Sequence, residues 1–321
     1  MLNSAIQKIP GIIENEPLSA HTTFKVGGSA RYFFAAKSKE ELLLAIKTAD
    51  AAKVPYVVLG WGSNLLVSDD GYAGLVIKFT SDNFSVQGEE IYAEAGVNLS
   101  RLVGAATQAG LSGLEFAAGI PGSAGGAAAG NAGAYGQSFG DVVKSVAVYD
   151  QGQVKNISRA EMKYGYRESA YKHSSAVILS VTVVLRSAEP AKIQAQVREN
   201  ILSRNAKLPF EPSAGCIFKN IELANIEIDR VKILKELEID EREWQKVTAH
   251  GKLSAGYVIE RLGLKGKQIG GCKISEKHSA FFVNVGGCRA EHVMMLISDV
   301  KMRARNRLGI QLQEEIKYLG F

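Results

Sequence analysis

Cysteine, proline and long apolar runs are scarce in this chain of 321 residues, which has three cysteines and seven prolines. Cys216, Cys272 and Cys288 are an odd number at spacings that fit neither a zinc site nor a disulfide framework. We therefore expect free thiols in a reducing compartment, the cytoplasm. No stretch approaches the ~20 apolar residues of a membrane-spanning helix, and the N-terminal segment lacks the apolar core of a signal peptide. We expect no membrane partner.

The chain also carries only a small excess of positive over negative charge. Lysine and arginine total 38 against 33 aspartates and glutamates, which gives a formal net charge of +5. A charge so small and dispersed argues against nucleic-acid binding but suits a protein with anionic ligands. No His-Glu-His motif or carboxylate cluster indicates a metal site, so we expect no metal.

Glycine is the residue present in excess, with 33 copies, and many of them lie in the segment 119–136, GIPGSAGGAAAGNAGAYG. We call this segment the second glycine loop. Glycine permits positive φ and removes Cβ atoms, so such a backbone can wrap closely around a ligand and point N–H groups at an anion. A flexible linker is the alternative, but linkers are polar, whereas this segment is nearly uncharged. We predict an ordered ligand-binding loop.

The first glycine loop, residues 60–66, follows the apolar run 54–59, which we predict to be a buried strand. A strand that leads into a glycine-rich turn is where α/β folds bind phosphates. The sequence Gly-Trp-Gly-Ser-Asn-Leu-Leu is not GxGxxG, which argues against an ordinary Rossmann domain. Two anion-binding loops suit the pyrophosphate of a dinucleotide.

Local signals predict helices and strands that mix without strict alternation, which favours an α+β chain. Capping boxes at Ser38–Glu41 and Ser158–Glu161 predict two helices, the second of them short and ending at Gly165. Gly110 and Gly309 are predicted to close helices over 99–109 and 291–308, and Ser254 and Gly263 to begin and end a third. Periodicity predicts a further helix over 190–204, and strands over 75–79, 91–95, 142–149, 177–186 and 310–319.

Eight segments stand in an order that resembles a single family. They are HTTFKVGGSA, GWGSNLLV, GIPGSAGGAAAGNAGAYG, YGYRESAYK, PSAGCIFKN, GLKGKQIGG, SEKH and EEIKYLG. Their joint order and spacing, from residue 21 to residue 320, is similar to that of the UDP-N-acetylenolpyruvoylglucosamine reductase (MurB) family. The short connection between residues 186 and 190 resembles the shorter subtype of that family, which lacks an extra substrate-covering loop.

The resemblance implies an FAD-binding fold of the vanillyl-alcohol-oxidase type. It implies two α+β FAD-binding subdomains, 1–80 and 81–205, a C-terminal α+β substrate domain, 206–309, and a last strand, 310–321, that returns near the active site. The implied reaction uses noncovalent FAD and NADPH to reduce UDP-N-acetylglucosamine enolpyruvate to UDP-N-acetylmuramate. This is a cytoplasmic step of peptidoglycan synthesis, and we expect a monomer.

By the same resemblance, two sets of residues contact ligands. FAD would be held by Gly60, Gly62, Ser63, Asn64, Leu65, Pro121, Gly122, Ser123, Gly126, Asn131, Gly133 and Tyr135. The UDP diphosphate of the substrate would be held by Lys207, Asn220 and His278. A lone histidine is more often structural, and Ala280 stands at the position where members of that family often have asparagine.

Reduction of an enol ether beside a carboxylate needs a hydride, a cation to hold the carboxylate, and an acid. The hydride is expected from N5 of reduced flavin. Arg167 matches the family arginine that holds the carboxylate, a role that suits a permanently charged, forked guanidinium. Cys216 stands where the family usually has a proton-donating serine. A thiol, whose ordinary pKa is ~8.5, is more acidic than a serine hydroxyl, so we expect Cys216 to be the acid; an inert buried filler is the alternative.

Glu315 matches the family glutamate of the C-terminal motif E-[IV]-[KR]-x-[IL]-G, which implies that it helps to polarise or protonate the enolic intermediate. Alternation along the predicted last strand places Glu315 opposite the apolar face formed by Ile310, Leu312, Ile316 and Tyr318. Glu314 falls on the apolar face unless a bulge shifts the register.

Two other functions stay open. A catalytically silent flavin- or nucleotide-binding protein would keep the glycine loops but need not keep Arg167, an acid at position 216 and Glu315 together. A related flavin oxidoreductase that acts on another carbohydrate would often tether its FAD to a histidine or cysteine near the first glycine loop, which has neither.

Overall fold

The computed structural model describes residues 4–321, which divide into two compact units. The first unit contains residues 4–16, 30–62 and 72–206, and the second contains residues 17–29, 63–71 and 207–321. Two short segments near the N-terminus therefore belong to the second unit although their sequence neighbours belong to the first. The division into three segments at residues 80 and 205 stays a prediction.

Two sheets make up the first unit. The strands of the first sheet, in spatial order, are Ile13–Pro17, Ser29–Ala36, Tyr72–Phe79 and Tyr56–Leu59, of which the last three run parallel. The second sheet is antiparallel, in the order Gln153–Ser158, Val143–Asp150, Val177–Val184, Glu90–Glu94 and Phe84–Gln87. Buried side chains from both sheets form one hydrophobic cluster. The expected boundary at residue 80 thus separates two sheets that share a core.

The helices of the first unit span Ser4–Gln7, Lys39–Ala52, Leu99–Gln108, Ala124–Gly130 and Pro190–Lys207. Local signals predicted the second, third and fifth of these. They missed the first, and the fourth lies in the second glycine loop, which was predicted to be an ordered loop rather than a helix. Ser38 accepts a hydrogen bond from the Glu41 backbone N–H at the start of its helix, and Gly110, at φ +67°, follows the end of another. These caps confirm the local predictions because they depend on side chains next to them in sequence.

The predicted short helix after Ser158 is wrong. Ser158 is the last residue of a strand, and residues 159–163 form a turn. The capping-box contacts nevertheless exist, since the Glu161 carboxylate accepts hydrogen bonds from the Ser158 N–H and hydroxyl at 2.9 and 2.6 Å. Lys163 adopts the left-handed conformation at φ +47°, and this ends the turn before a helix can continue.

An antiparallel sheet with helices forms the second unit. Its strands are, in spatial order, Ser213–Cys216, Phe281–Asn284, Cys272–Ile274 and Gln268–Ile269. Its helices are Arg230–Glu236, Glu241–Val247, Ala255–Arg261 and Ala290–Arg303, the last continuing as a π-helical turn, Ala304–Leu308, that Gly309 closes at φ +70°. Within residues 4–321, no helix is long and apolar enough to cross a bilayer.

The predicted last strand, 310–319, forms only at its end. Lys317–Leu319 pairs in parallel with Leu65–Val67, and upstream a single bridge joins Glu314 to Phe218. Ile310, Leu312 and Ile316 are buried as predicted, but Tyr318 is 38% exposed and Leu319 is buried instead. The alternation breaks because the chain changes its pairing partner between residues 314 and 317.

Candidate functional site

Gly60, in the first glycine loop, and Ser123, in the second, approach closely within the first unit. A Cβ atom on Gly60 would lie 2.3 Å from the Ser123 hydroxyl oxygen. That oxygen caps the helix Ala124–Gly130 by accepting a hydrogen bond from the Gly126 N–H at 3.2 Å. The helix contains only alanine and glycine, and a Cβ on Gly125 would lie 2.5 Å from the Ala95 Cβ. The backbone here is packed too tightly for larger side chains.

This arrangement is compatible with the predicted ligand of the two glycine loops, the pyrophosphate group of a dinucleotide. Gly62 at φ +61° and Gly122 at φ +157° adopt conformations that favour glycine, and the absence of side chains leaves their backbone groups accessible to an anion. Leu65 is buried, so its side chain is not exposed to a cofactor. The observed backbone is therefore compatible with the predicted FAD-binding set.

Substitution of Gly60 tests this arrangement. Gly60→Ala forces the new methyl group into the Ser123 hydroxyl, and overpacking of this kind costs about 1–3 kcal/mol. Relief of this clash must shift the two glycine loops and so displace the backbone proposed to bind the pyrophosphate. We therefore expect the purified variant to bind flavin about tenfold more weakly, which corresponds to about 1.4 kcal/mol of binding free energy. The measurement is the flavin retained per protein after equilibrium dialysis.

Gly104→Ala is the matched control for Gly60→Ala. Gly104 lies inside the helix Leu99–Gln108, and a Cβ there meets no atom of any other segment within 4 Å. Alanine favours a helix interior over glycine, so this variant should bind flavin like the unaltered protein. Equal flavin retention in the Gly60 and Gly104 variants would contradict the proposed close approach to the cofactor.

Asn131 anchors the second glycine loop from inside. Its backbone is left-handed at φ +45°, its side-chain Nδ2 donates to the Gly165 carbonyl at 2.7 Å, and its Oδ1 accepts from the Gly140 N–H at 2.8 Å. Tyr135 fixes a second point, since its hydroxyl donates to the Asn200 carbonyl at 3.1 Å. The loop is ordered by these contacts, so the linker alternative is wrong. The side-chain amide of Asn131 and its backbone N–H, which donates to the Ala127 carbonyl, are both bonded within the protein.

Arg167 lies in a tight turn, residues 165–168, which we call the arginine turn. Gly165 and Glu168 exchange two backbone hydrogen bonds, of 3.0 and 3.2 Å. Arg167 is left-handed at φ +56°, and its Nη2 donates to the Gly133 carbonyl at 2.8 Å. The guanidinium carbon also lies 5.6 Å from the centre of the Tyr166 ring. The predicted carboxylate-binding group is thus held against the second glycine loop.

Cys216 and Glu315 are brought together in the second unit. The residue after Cys216, Ile217, accepts a hydrogen bond at its carbonyl from the Glu315 N–H, at 2.8 Å. Asn64 joins them, because its Nδ2 donates to the Glu315 carbonyl at 3.1 Å and its own carbonyl accepts from the Lys317 N–H at 3.0 Å. Both Cys216 and Glu315 are half-buried. Three residues predicted from distant motifs therefore share one region.

Glu314 occupies a different setting from its neighbour. Its carboxylate lies 2.8 Å from the Lys301 ammonium, on the helix Ala290–Arg303, with 23% of its side chain exposed. The backbone bridge from Glu314 to Phe218 fixes the register of this segment. Successive side chains of an extended segment point to opposite faces, so Glu315 points away from the Lys301 ion pair.

Two of the three residues predicted to hold the diphosphate lie at the start of the helix Ala255–Arg261. The Asn220 Oδ1 accepts from the Ala255 N–H at 3.2 Å, and a Cβ on Gly256 would lie 3.4 Å from the His278 ring. Burial lowers the pKa of His278 below its usual value, so its imidazole is neutral at pH 7 and offers a hydrogen bond rather than a charge. Lys207 is exposed, at the end of another helix.

Sequence reasoning missed several polar groups near these residues. The hydroxyl oxygens of Tyr164 and Ser279 are buried and have no hydrogen-bond partner among residues 4–321. A buried hydroxyl without a partner costs free energy, so both are candidate ligand contacts. Lys172 is 5% exposed. Tyr164 begins and Lys172 ends the motif YGYRESAYK, and Ser279 follows the motif SEKH. No pattern in the sequence distinguishes a buried polar group from an exposed one.

Comparisons with known proteins agree with this geometry. Residues 206–319 match the family model for the C-terminal domain of UDP-N-acetylenolpyruvoylglucosamine reductase, and residues 30–158 match an FAD-binding domain model. Proteins named UDP-N-acetylenolpyruvoylglucosamine reductase from Solibacter usitatus and Caldanaerobacter subterraneus subsp. tengcongensis are 34% and 37% identical to this chain. These alignments cover 95% of this chain and 95% and 93% of the two relatives.

The fold of this chain is also similar to that of a solved crystal structure. The structure of UDP-N-acetylenolpyruvylglucosamine reductase from Thermus caldophilus is similar to this chain with a TM-score of 0.74, at 30% sequence identity. The similarity covers 96% of this chain and 98% of that one.

Proposed function

Since this chain belongs to the UDP-N-acetylenolpyruvoylglucosamine reductase family, we propose that it reduces UDP-N-acetylglucosamine enolpyruvate to UDP-N-acetylmuramate with NADPH as the reductant. The predicted α+β fold with an FAD-binding domain and the predicted reductase class are confirmed by the family matches. The observation that supports the proposal best is the backbone hydrogen bond from the Glu315 N–H to the carbonyl of Ile217, the residue after Cys216.

FAD, bound noncovalently and reduced by NADPH, supplies the hydride in this proposal. The chain's own residues hold the substrate and move the proton. Arg167 binds the substrate carboxylate with its forked guanidinium, where negative charge builds during the reaction. The Cys216 thiol donates a proton from Sγ to the carbon beside the one that receives the hydride. The Glu315 carboxyl group polarises the enolic carbon skeleton while this proton is transferred.

The ligand-binding roles extend the same proposal. The residues named from both glycine loops hold FAD, while Lys207, Asn220 and His278 hold the diphosphate of the substrate. The neutral His278 donates a hydrogen bond to a phosphate oxygen, and Lys207 supplies the positive charge. We further propose a cytoplasmic monomer with no nucleic-acid or membrane partner, which size-exclusion chromatography and cell fractionation would test.

The direct test of the function is NADPH consumption by the flavin-loaded protein, with and without the enolpyruvyl substrate. We expect oxidation that depends on the substrate and UDP-N-acetylmuramate as the product, identified by mass spectrometry. Flavin reduction without product would overturn the proposed substrate. It would favour the silent flavin-binding protein or an oxidoreductase that acts on another carbohydrate.

Arg167→Lys tests the proposed carboxylate contact. Lysine keeps the charge but loses the fork that bonds both the substrate and the Gly133 carbonyl, so we expect kcat/KM to fall about 10²-fold, as for loss of a charge-stabilising donor. Steady-state kinetics with varied enolpyruvyl substrate measure this. Arg186→Lys, at an exposed position, is the control and should keep normal kinetics. Equal kinetics in the two variants would remove Arg167 from the site.

A further inference from the structure

Lys172 is a buried lysine that the proposed chemistry does not use. It ends the motif YGYRESAYK and is 5% exposed. Lysine is almost never fully buried unless its ammonium group is paired. Here Nζ donates to the Arg167 carbonyl oxygen at 2.6 Å and lies 3.5 Å from the Glu168 Oε1. The ammonium group is thus directed at the backbone of the arginine turn.

The arginine turn needs support of this kind. Arg167 is left-handed at φ +56°, a conformation that is unfavourable for a residue with a Cβ atom. Strained residues persist only where surrounding contacts over-determine them, and they cluster at functional sites. The turn is held at Gly165 by the side chain of Asn131, and Lys172 holds the opposite side at Arg167. A rotation of the peptide between Arg167 and Glu168 would break the Lys172 hydrogen bond.

The second carboxylate oxygen of Glu168 has its own partner. It lies 3.1 Å from the His173 Nε2, so the glutamate is placed between the buried lysine and an exposed histidine. The next residue, Ser169, donates its hydroxyl hydrogen to the Ala129 carbonyl at 2.6 Å. The Ser169 contact connects the segment that follows Arg167 to the second glycine loop. Within that segment, the Lys172 ammonium group contacts both the Arg167 carbonyl and the Glu168 carboxylate.

We propose that Lys172 is a positioning residue that fixes the Arg167 peptide and thereby aims the guanidinium at the substrate carboxylate. This inference rests on the proposed function, since it assumes that Arg167 binds that carboxylate. Lys172 touches neither substrate nor cofactor in this scheme. It acts only through Arg167, so its replacement should have no effect on catalysis once Arg167 has been removed.

A double-mutant cycle tests the inference on the flavin-loaded enzyme. Lys172→Met keeps most of the length and the apolar character of the side-chain stem but removes the ammonium donor. We expect kcat/KM to fall about 10- to 100-fold, as for a displacement of about 1 Å in a binding group, with normal flavin content. In the Arg167→Ala background, Lys172→Met should have no further effect, because coupled residues are not additive.

The outcomes of the cycle separate the two proposals. If the effects of Lys172→Met and Arg167→Ala on kcat/KM are fully additive, the inference is overturned and the proposed function stands. The same holds if Lys172→Met has normal kinetics while Arg167→Ala is impaired. Normal kinetics in Arg167→Ala overturns the proposed role of Arg167 and the inference with it. Lys172→Gln is the second variant: it also removes the charge but keeps a polar group in the site, and the same cycle and expectation apply if the methionine variant does not fold.

Hydrogen exchange gives a readout that needs no substrate. The amide hydrogens of Gly165 and Glu168 bond across the arginine turn, so we expect the peptide that covers them to exchange faster in Lys172→Met. Lys192→Met, at a lysine with 81% of its side chain exposed, is the control and should exchange like the unaltered protein. Unchanged exchange in Lys172→Met would overturn the inference.

Discussion

Replacing Cys216 with alanine should lower product formation about 10²- to 10⁴-fold, the usual contribution of a positioned general acid, while NADPH still reduces the flavin at the normal rate. Alanine removes the proton-bearing sulfur and leaves the strand Ser213–Cys216 able to pair with Phe281–Asn284. Flavin binding and reduction by NADPH do not depend on that proton in our scheme. Stopped-flow absorbance of the flavin and quenched-flow product analysis measure the two steps separately.

Cys216→Ser and Cys288→Ala are the controls for this experiment. Serine supplies the proton-donating hydroxyl that the family resemblance implies at this position, so the serine variant should remain active. Cys288 is also a half-buried cysteine outside any disulfide, but it lies outside the proposed site, and its alanine variant should keep normal turnover. If Cys216→Ala forms product at the normal rate, the thiol is not the acid, and the interpretation of Cys216 as an inert filler is correct.

Replacing Glu315 with glutamine should lower kcat by about 10²-fold or more, again within the range of acid–base groups. Glutamine preserves the side-chain shape, and the backbone bonds from Glu315 to Ile217 and from Asn64 to Glu315 do not involve the carboxyl group. The fold around residue 315 should therefore survive, so that lost turnover reports the carboxyl chemistry. Turnover under saturating substrate, together with the melting temperature, measures this.

Glu314→Gln is the matched control, one residue away. It removes the partner of Lys301, and loss of a partly exposed ion pair costs at most about 1 kcal/mol of stability. We expect a slightly lower melting temperature and normal kcat. The opposite pattern, with Glu314→Gln inactive and Glu315→Gln active, would transfer the proposed role to Glu314.

Local sequence signals predicted the helices that begin at Lys39, Leu99, Pro190, Ala255 and Ala290, because their causes are local. They missed the short helices over 4–7, 124–130, 230–236 and 241–247. Ser38 caps its helix by accepting from the Glu41 N–H in the first turn, and Gly309 closes its helix through its own left-handed backbone. The capping-box sequence at Ser158 predicted a helix that does not form, again because the signal is local. Its capping contacts form in a turn as well as in a helix, and the left-handed Lys163 that decides between the two has no distinctive local pattern.

Long-range pairing limited the prediction of the last strand. The alternation of apolar residues predicted the buried face only in part, because Leu312 and Ile316 are buried while Tyr318 is 38% exposed. The segment pairs first with Phe218 and then with Leu65–Val67. A change of partner shifts which side chains face the core, and both partners are far from this segment in the sequence.

The sequence by itself determined the family, the FAD-binding domain and the residue types able to carry the chemistry, since ordered motifs and glycine-rich loops can be recognised from neighbouring residues. Only the tertiary structure placed Glu315 beside the residue after Cys216, and only it buried Lys172 against the Arg167 carbonyl. The first contact joins two segments that are distant in the sequence, and the second depends on how the chain turns back after Arg167. Burial and backbone pairing are properties of the whole fold, so no motif could specify them in advance.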